Sequence, residues 1–184
     1  MNRNPPAVYL AGPGVFRRDA KEYGNSLKQL CVAHALTGLW PLDNDIHYGP
    51  QAADRIRAAN AIRRANEGQI IICDAIVADV SPFRGHHMDP GTAYEIGFAH
   101  ALRKPLFVYS HDPRPLLTRM TSASIARWSK DGATDQNGFL IEDFGLAENL
   151  MIGTLPERVY QTATEALAAC SQQLRSDRNR TAVR

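Results

Sequence analysis

Four short apolar runs limit what this chain can fold into. They are Ala7-Val8-Tyr9-Leu10-Ala11, Leu39-Trp40-Pro41-Leu42, Ala75-Ile76-Val77-Ala78-Asp79 and Leu106-Phe107-Val108-Tyr109. Each is strand-length, and the first is bounded by Pro6 and Gly12, as a buried strand would be. Stretches of helical length lie between the runs. Short strands alternating with helices argue a parallel sheet with right-handed crossovers, hence an α/β fold.

The helical stretches carry their own signals. Arg17 to Thr37 places Leu27, Leu30, Cys31, His34 and Ala35 on one face, with Gly38 as the closing glycine. Gln51 to Asn66 predicts a second helix with Ala52, Ile56, Ala59 and Ile62 inward; Ile70-Ile71-Ile72 either ends it or makes a short strand. A third helix opens near Asp89 and runs to Arg103, stopping before Pro105. Pro156 to Leu174 predicts a final helix with Pro in its first turn. From Ser110 to Met151 the pattern is loose. Turn signals stand at Asp112-Pro113-Arg114-Pro115, Lys130-Asp131-Gly132 and Asn137-Gly138. Loops this long are uncommon unless functional. A lid or intersubunit arm is expected here, with a brief helix at Leu116 to Ala126 and an edge strand at Phe139 to Phe144.

At 184 residues the chain suits one domain, residues 1–175, followed by a flexible basic tail at 176–184. A net charge of +2 and a lack of aromatics among Arg175, Arg178, Arg180 and Arg184 argue against nucleic acid as a partner. Cys31, Cys73 and Cys170 form neither a CxxC pair nor an even framework, so reduced thiols are expected. No signal segment and no apolar run of bilayer length is present, which predicts a cytoplasmic protein with no membrane partner. His86-His87 with Asp89 matches no standard zinc spacing, so neither metal nor other cofactor is expected.

The chemistry concentrates at Asp89-Pro90-Gly91-Thr92-Ala93-Tyr94-Glu95-Ile96-Gly97. This stretch follows the third strand through a turn-rich linker, at the sheet edge where open α/β folds bind ligands. Two readings of Glu95 stand side by side. Thr92-x-x-Glu95 fits a capping box, in which Thr92 caps the helix and Glu95 reaches back to its amide. A carboxylate in a first helical turn is also held charged by the helix dipole, as a nucleophile at an acetal carbon requires. Asp89 would then be the partner carboxylate, since retaining glycoside chemistry needs two carboxyl groups about 5 Å apart. Gly12-Pro13-Gly14 is a tight turn, neither G-x-G-x-x-G nor a P-loop, and leaves Phe16 free to pack on a planar ligand. Asp79 ends its strand at the same edge. The acidic loop Asp43-Asn44-Asp45 suits contact with hydroxyl groups better than a calcium ion.

Val8-Tyr9-Leu10-Ala11-Gly12-Pro13, Pro41-Leu42-Asp43-Asn44, Asp79-x-x-Pro82-Phe83-Arg84-Gly85, the Asp89 to Ala99 block and Ile141-Glu142-Asp143-Phe144-Gly145-Leu146-x-x-Asn149-Leu150-Met151 resemble, in order, the nucleoside 2-deoxyribosyltransferase family. The resemblance implies a flavodoxin-like three-layer sandwich with a five-stranded parallel sheet. It implies base exchange on a 2'-deoxyribonucleoside with a free purine or pyrimidine, retaining and ping-pong, through a deoxyribosyl ester. Glu95 would be the nucleophile, Asp89 would bind sugar or base and assist proton transfer, and Tyr9 would orient Glu95. Phe16 and Asp45 would line the pocket. Asn66 stands where some members carry a base-contacting Asp, which leaves base preference open. Asp79 and Gly91 fall in the matching blocks and are expected at the substrate. Asn149 and Met151 would complete a neighbouring subunit's site, making the protein a homo-oligomer, at least a dimer. Two rivals share the scaffold: hydrolysis of nucleoside 5'-monophosphates, which needs phosphate donors, and a nucleotide-binding domain without turnover, which paired carboxylates disfavour.

Overall fold

The computed structural model describes residues 4–44, 46, 49 and 51–182. Asp45, expected in the pocket, lies outside the described residues. In chain order the elements are β1 (Ala7–Ala11), α1 (Ala20–Ala33), β2 (Thr37–Leu39), α2 (Ala52–Ile72), β3 (Ala75–Asp79), α3 (Pro90–Ala101), β4 (Leu106–Tyr109), α4 (Leu116–Ser122), β5 (Arg127–Ser129), β6 (Gly132–Thr134), α5 (Leu150–Gly153), β7 (Val159–Tyr160) and α6 (Ala163–Ala182), with 3-10 turns at Pro13–Phe16 and Pro41–Asp43. Five strands form one parallel sheet in the order β2-β1-β3-β4-β7. With helices on both faces, this is the flavodoxin-like α/β sandwich.

Strand parity divides the core. Val8, Leu10, Ala75, Val77, Phe107 and Tyr109 pack with α1 and α6 through Leu27, Cys31, Leu167 and Cys170. Tyr9, Ala11, Ile76, Ala78 and Val108 point the opposite way, onto Ile70 of α2 and Ile96 and Ala99 of α3. Apolar neighbours on both faces explain why the strands read as unbroken apolar runs rather than as alternation. The three cysteines are buried and unpaired. No described helix is long and apolar enough to cross a membrane.

Several local expectations are corrected. The second strand is Thr37–Leu39, and Pro41–Asp43 turns instead of extending. Pro41 has no N–H to give a sheet ladder. The left-handed residue after α1 is Ala35, at φ 57°, so Gly38 is free to join β2. The inward stripe on α2 is wrong: Ile56 is 64% exposed and Ile62 36%, while Ala58 and Ile70 are buried. Ile70 to Ile72 close that helix. The fifth strand is Val159–Tyr160, inside the stretch read as the start of the final helix. That helix begins at Ala163 and continues through Ala182, over most of the stretch read as a tail. Arg178 there donates to the Asn4 carbonyl at 3.1 Å. In the loose region, β5 and β6 make an antiparallel hairpin. The expected edge strand at Phe139 to Phe144 reduces to a single bridge between Leu140 and Thr134.

Candidate active site

The carboxyl edge of β1 meets the start of α3. Asp89 is the N-cap of α3, and its Oδ2 accepts from the Thr92 N–H at 2.8 Å and from the Thr92 hydroxyl at 2.9 Å. Pro90 occupies the first helical position, where its missing N–H costs nothing. The capping-box reading is therefore overturned. The cap is Asp89, three residues earlier than Thr92, and this moves Glu95 into the second turn of the helix.

Glu95 has a different partner. The Tyr9 hydroxyl, on a side chain with no exposed surface, donates to Glu95 Oε1 at 2.5 Å. Parity aims Tyr9 at α3, and the second-turn position of Glu95 lets the two meet. Burial pushes the Glu95 carboxyl up to about 7, the Tyr9 hydrogen bond opposes that rise, and the nearby Asp89 carboxylate adds to it. Burial, followed by the Glu95 charge, drives the Tyr9 phenol well above its ordinary value, so it stays a donor. The expectation of a fully charged Glu95 held by the helix dipole is replaced by a carboxyl poised near neutrality.

A cleft of about 300 Å³ opens over this pair. Asp89, Thr92, Glu95 and Asn66 supply its polar groups, and Val15, Phe16, Leu42 and Ile62 are among its apolar walls. Gly91 also lines it, and a Cβ there would stand 3.0 Å from Asp89 Oδ2. The Asn66 side-chain oxygen is buried without a hydrogen-bond partner. Phe16, 56% exposed, stacks on Phe83 with ring centroids 5.3 Å apart, and the Arg84 guanidinium lies over both rings.

Asp79 does not line this cleft. It shares strand parity with Ala75 and Val77, so it faces the other side of the sheet, where it lines a cleft of about 240 Å³ with Phe16, Tyr23 and Phe83. Its Oδ1 accepts from the Ser81 N–H at 2.9 Å. Gly12, at φ 147°, packs against it; a Cβ there would come within 2.8 Å of Asp79 Cβ. Phe16 is common to both clefts.

Asn149 and Met151 are also absent from the Glu95 cleft. The Asn149 amide donates to Glu142 Oε1 at 2.6 Å, its oxygen accepts from the Met151 N–H at 3.0 Å, and Met151 is 70% exposed. Among the described residues no three His, Cys, Asp or Glu side chains come together as a metal-ligand group. Sequence reasoning passed over Arg119 and Glu148, which form a buried ion pair beneath the Asp89 loop. Nothing in a linear pattern announces a pair 29 residues apart.

The model of the nucleoside 2-deoxyribosyltransferase family matches residues 8–151, a span that holds Tyr9, Asp89, Glu95 and Asn149. The chain belongs to this family. Among solved structures, the 2-desoxiribosyltransferase from Leishmania mexicana is similar at 35% identity and a TM-score of 0.72, over 91% of this chain and 98% of that one. The 2-deoxyribosyltransferase from Bacillus psychrosaccharolyticus shares the fold at 16% identity and a TM-score of 0.55, over 88% of this chain and 90% of that one. An uncharacterized protein of Schizosaccharomyces pombe is 31% identical over 161 residues, 79% of this chain and 74% of the relative. The family is enzymatic and binds nucleosides and bases, and family and fold together support a deoxyribosyltransferase-like function for this chain.

Proposed function

We propose that the protein exchanges the nucleobase of a 2'-deoxyribonucleoside for a free base, as a step of nucleoside salvage, through a covalent deoxyribosyl-Glu95 ester. The observation that carries this reading is the Tyr9–Glu95 hydrogen bond, 2.5 Å long, in a cleft shared with Asp89. In the first half-reaction an ionised Glu95 oxygen bonds to the anomeric carbon. The glycosidic C–N bond breaks, and its electron pair leaves on the base nitrogen, which takes up a proton. In the second half a nitrogen of the incoming base attacks the same carbon, loses its proton and releases the Glu95 carboxylate. Two displacements retain the anomeric configuration.

Each remaining group has a chemical place in this scheme. A carboxyl poised near 7 is ionised often enough to attack and is a fair leaving group from the ester. Asp89 has one oxygen occupied by Thr92 and offers the other to a sugar hydroxyl or to the base proton. The Asn66 oxygen, buried and unpartnered, is an acceptor for a base N–H, and Phe16 offers a ring face for stacking. No Lys or Arg is among the described residues that line the cleft, which favours a free 5'-hydroxyl over a phosphate. Asn149 and the exposed Met151 point to an oligomer, at least a dimer, in which this segment completes a neighbour's site.

Incubation of deoxyinosine with adenine tests the reading. Deoxyadenosine is the expected product. Free deoxyribose alone would indicate hydrolysis, and an unchanged mixture would indicate binding without turnover.

A further inference from the structure

We propose that the buried Arg119–Glu148 pair is a positioning device that holds the Asp89 loop in fixed register with the Asn149 segment. Arg119 and Glu148 side chains are 3% and 4% exposed, and Arg119 Nη2 meets Glu148 Oε1 at 2.9 Å. The guanidinium also donates to four carbonyls: Asp112 at 3.2 Å, Arg114 at 2.7 Å, His86 at 2.8 Å and Ala147 at 2.6 Å. Glu148 Oε1 accepts from the Met88 N–H at 3.2 Å, and Oε2 lies 3.2 Å from His87 Nδ1. Met88 immediately precedes Asp89, the N-cap of α3. Glu148 immediately precedes Asn149. One ion pair thus clamps the segment that brings Asp89 to this chain's cleft to the segment that carries Asn149, the residue assigned above to a neighbour's site.

Stability alone does not account for it. A buried ion pair of this kind is matched or bettered by well-packed apolar side chains, because both charges must leave water. What apolar packing lacks is direction. Arg119 reads four carbonyls from three separate stretches of chain, and its planar fork fixes their mutual geometry. The linker it clamps includes Arg84 at φ 53°, a left-handed conformation uncommon for a residue with a side chain and one that neighbouring contacts must hold in place.

The proposal rests on the reading of Asp89 and Glu95 as the reacting corner, and the test separates the two. Glu148→Ala and Glu148→Gln are compared in the whole chain. Gln keeps an acceptor for Arg119 and the Met88 N–H; Ala does not. Glu148→Ala, still folded by circular dichroism, is expected to lose ~10²-fold in kcat for exchange between deoxyinosine and adenine, as a misplacement near 1 Å can cause. Glu148→Gln is expected to recover most of that loss. Carbon-13 NMR titration of the Glu95 carboxyl is a second readout, independent of turnover. Its midpoint, about 7 in the unmutated chain and raised in part by Asp89, should fall in Glu148→Ala and return in Glu148→Gln. Arg119→Lys, which cannot span the carbonyls, should match Glu148→Ala and serves if that variant does not fold. A folded Glu148→Ala or Arg119→Lys with unchanged kcat and unchanged Glu95 midpoint overturns the proposal. If the unmutated protein exchanges no base, the deoxyribosyl reading fails by itself, and the Glu95 midpoints still decide the positioning role.

Discussion

The Glu95 corner and the Asn149 arm are built on opposite terms. At the corner, a strand residue with no exposed surface, Tyr9, meets the second turn of a well-packed helix. Strand parity and the Asp89 cap leave Glu95 little choice of position. The arm, residues 111–155, holds a two-stranded hairpin, two short helices and long connections. It leaves Trp128, Phe139, Leu140, Phe144 and Met151 at least 66% exposed. The buried Arg119–Glu148 pair ties it to the Asp89 loop. The contrast teaches that the charge-tuning part of the site rests on the sheet, whereas the arm presents apolar surface and an asparagine away from its own cleft.

The comparison can be broken at several points. The largest effect is expected at Glu95. Glu95→Ala should reduce base exchange on the order of 10⁴-fold or more, as loss of a covalent nucleophile does. A variant with near-normal exchange kinetics would remove Glu95 from the chemistry.

Next is the arm. Asn149→Ala should lower exchange by ~10- to 10²-fold, the scale of losing one or two directed hydrogen bonds, without moving the Glu95 titration. Mixing Asn149→Ala chains with Glu95→Ala chains should then raise activity above that of either variant alone, because a mixed oligomer assembles one intact composite site. A mixture no more active than its components would place Asn149 in its own chain's chemistry or outside it.

Tyr9→Phe probes the corner more gently. Loss of a hydrogen bond to a charged group should cost ~10-fold or somewhat more in kcat. The direction of the pH effect is fixed. In the proposed mechanism exchange needs ionised Glu95, so kcat/KM, which reports the free enzyme, rises with pH through about 7. The Tyr9 hydrogen bond lowers that midpoint, so in Tyr9→Phe the acid limb should shift to higher pH. A shift to lower pH, or none, would contradict the assigned geometry.

The smallest effect concerns stability. The folded Glu95 carboxyl titrates above its ordinary value, so the folded chain holds this proton more tightly than the unfolded chain. Below about 4.5 both states are protonated and no penalty arises. The penalty grows between about 4.5 and 7 and is complete above 7. At about 1.4 kcal/mol per unit it reaches at most on the order of 3 kcal/mol, less for a carboxyl that keeps some solvent. Glu95→Gln should therefore raise the melting temperature at pH 8 and leave it nearly unchanged at pH 4. Equal effects at both pH values would show that burial does not strain this carboxyl.

Much of the fold was legible because strand burial writes itself into composition. β1, β3 and β4 lie where the apolar runs Ala7–Ala11, Ala75–Asp79 and Leu106–Tyr109 predict them. β7 was not legible. Two residues, Val159 and Tyr160, make too short a run to separate from the helix that follows, and their pairing with Val108 and Tyr109 is a long-range event. The stripe on α2 misled for a related reason. Ile56 and Ile62 obey helical spacing, yet which face of a helix meets the sheet depends on how the helix docks.

By itself the sequence determined the α/β architecture, the family, and the grouping of Asp89 and Glu95 at a sheet edge. Those follow from local patterns that need no partner to be read. Only the tertiary structure decided that Asp89 caps the helix, that Glu95 answers to Tyr9 across 86 residues, and that Asp79 faces a separate cleft. Side-chain parity along β1 and β3 and the single-residue placement of a helix start set those outcomes. A shift of one residue in either would have sent each carboxylate to a different neighbour.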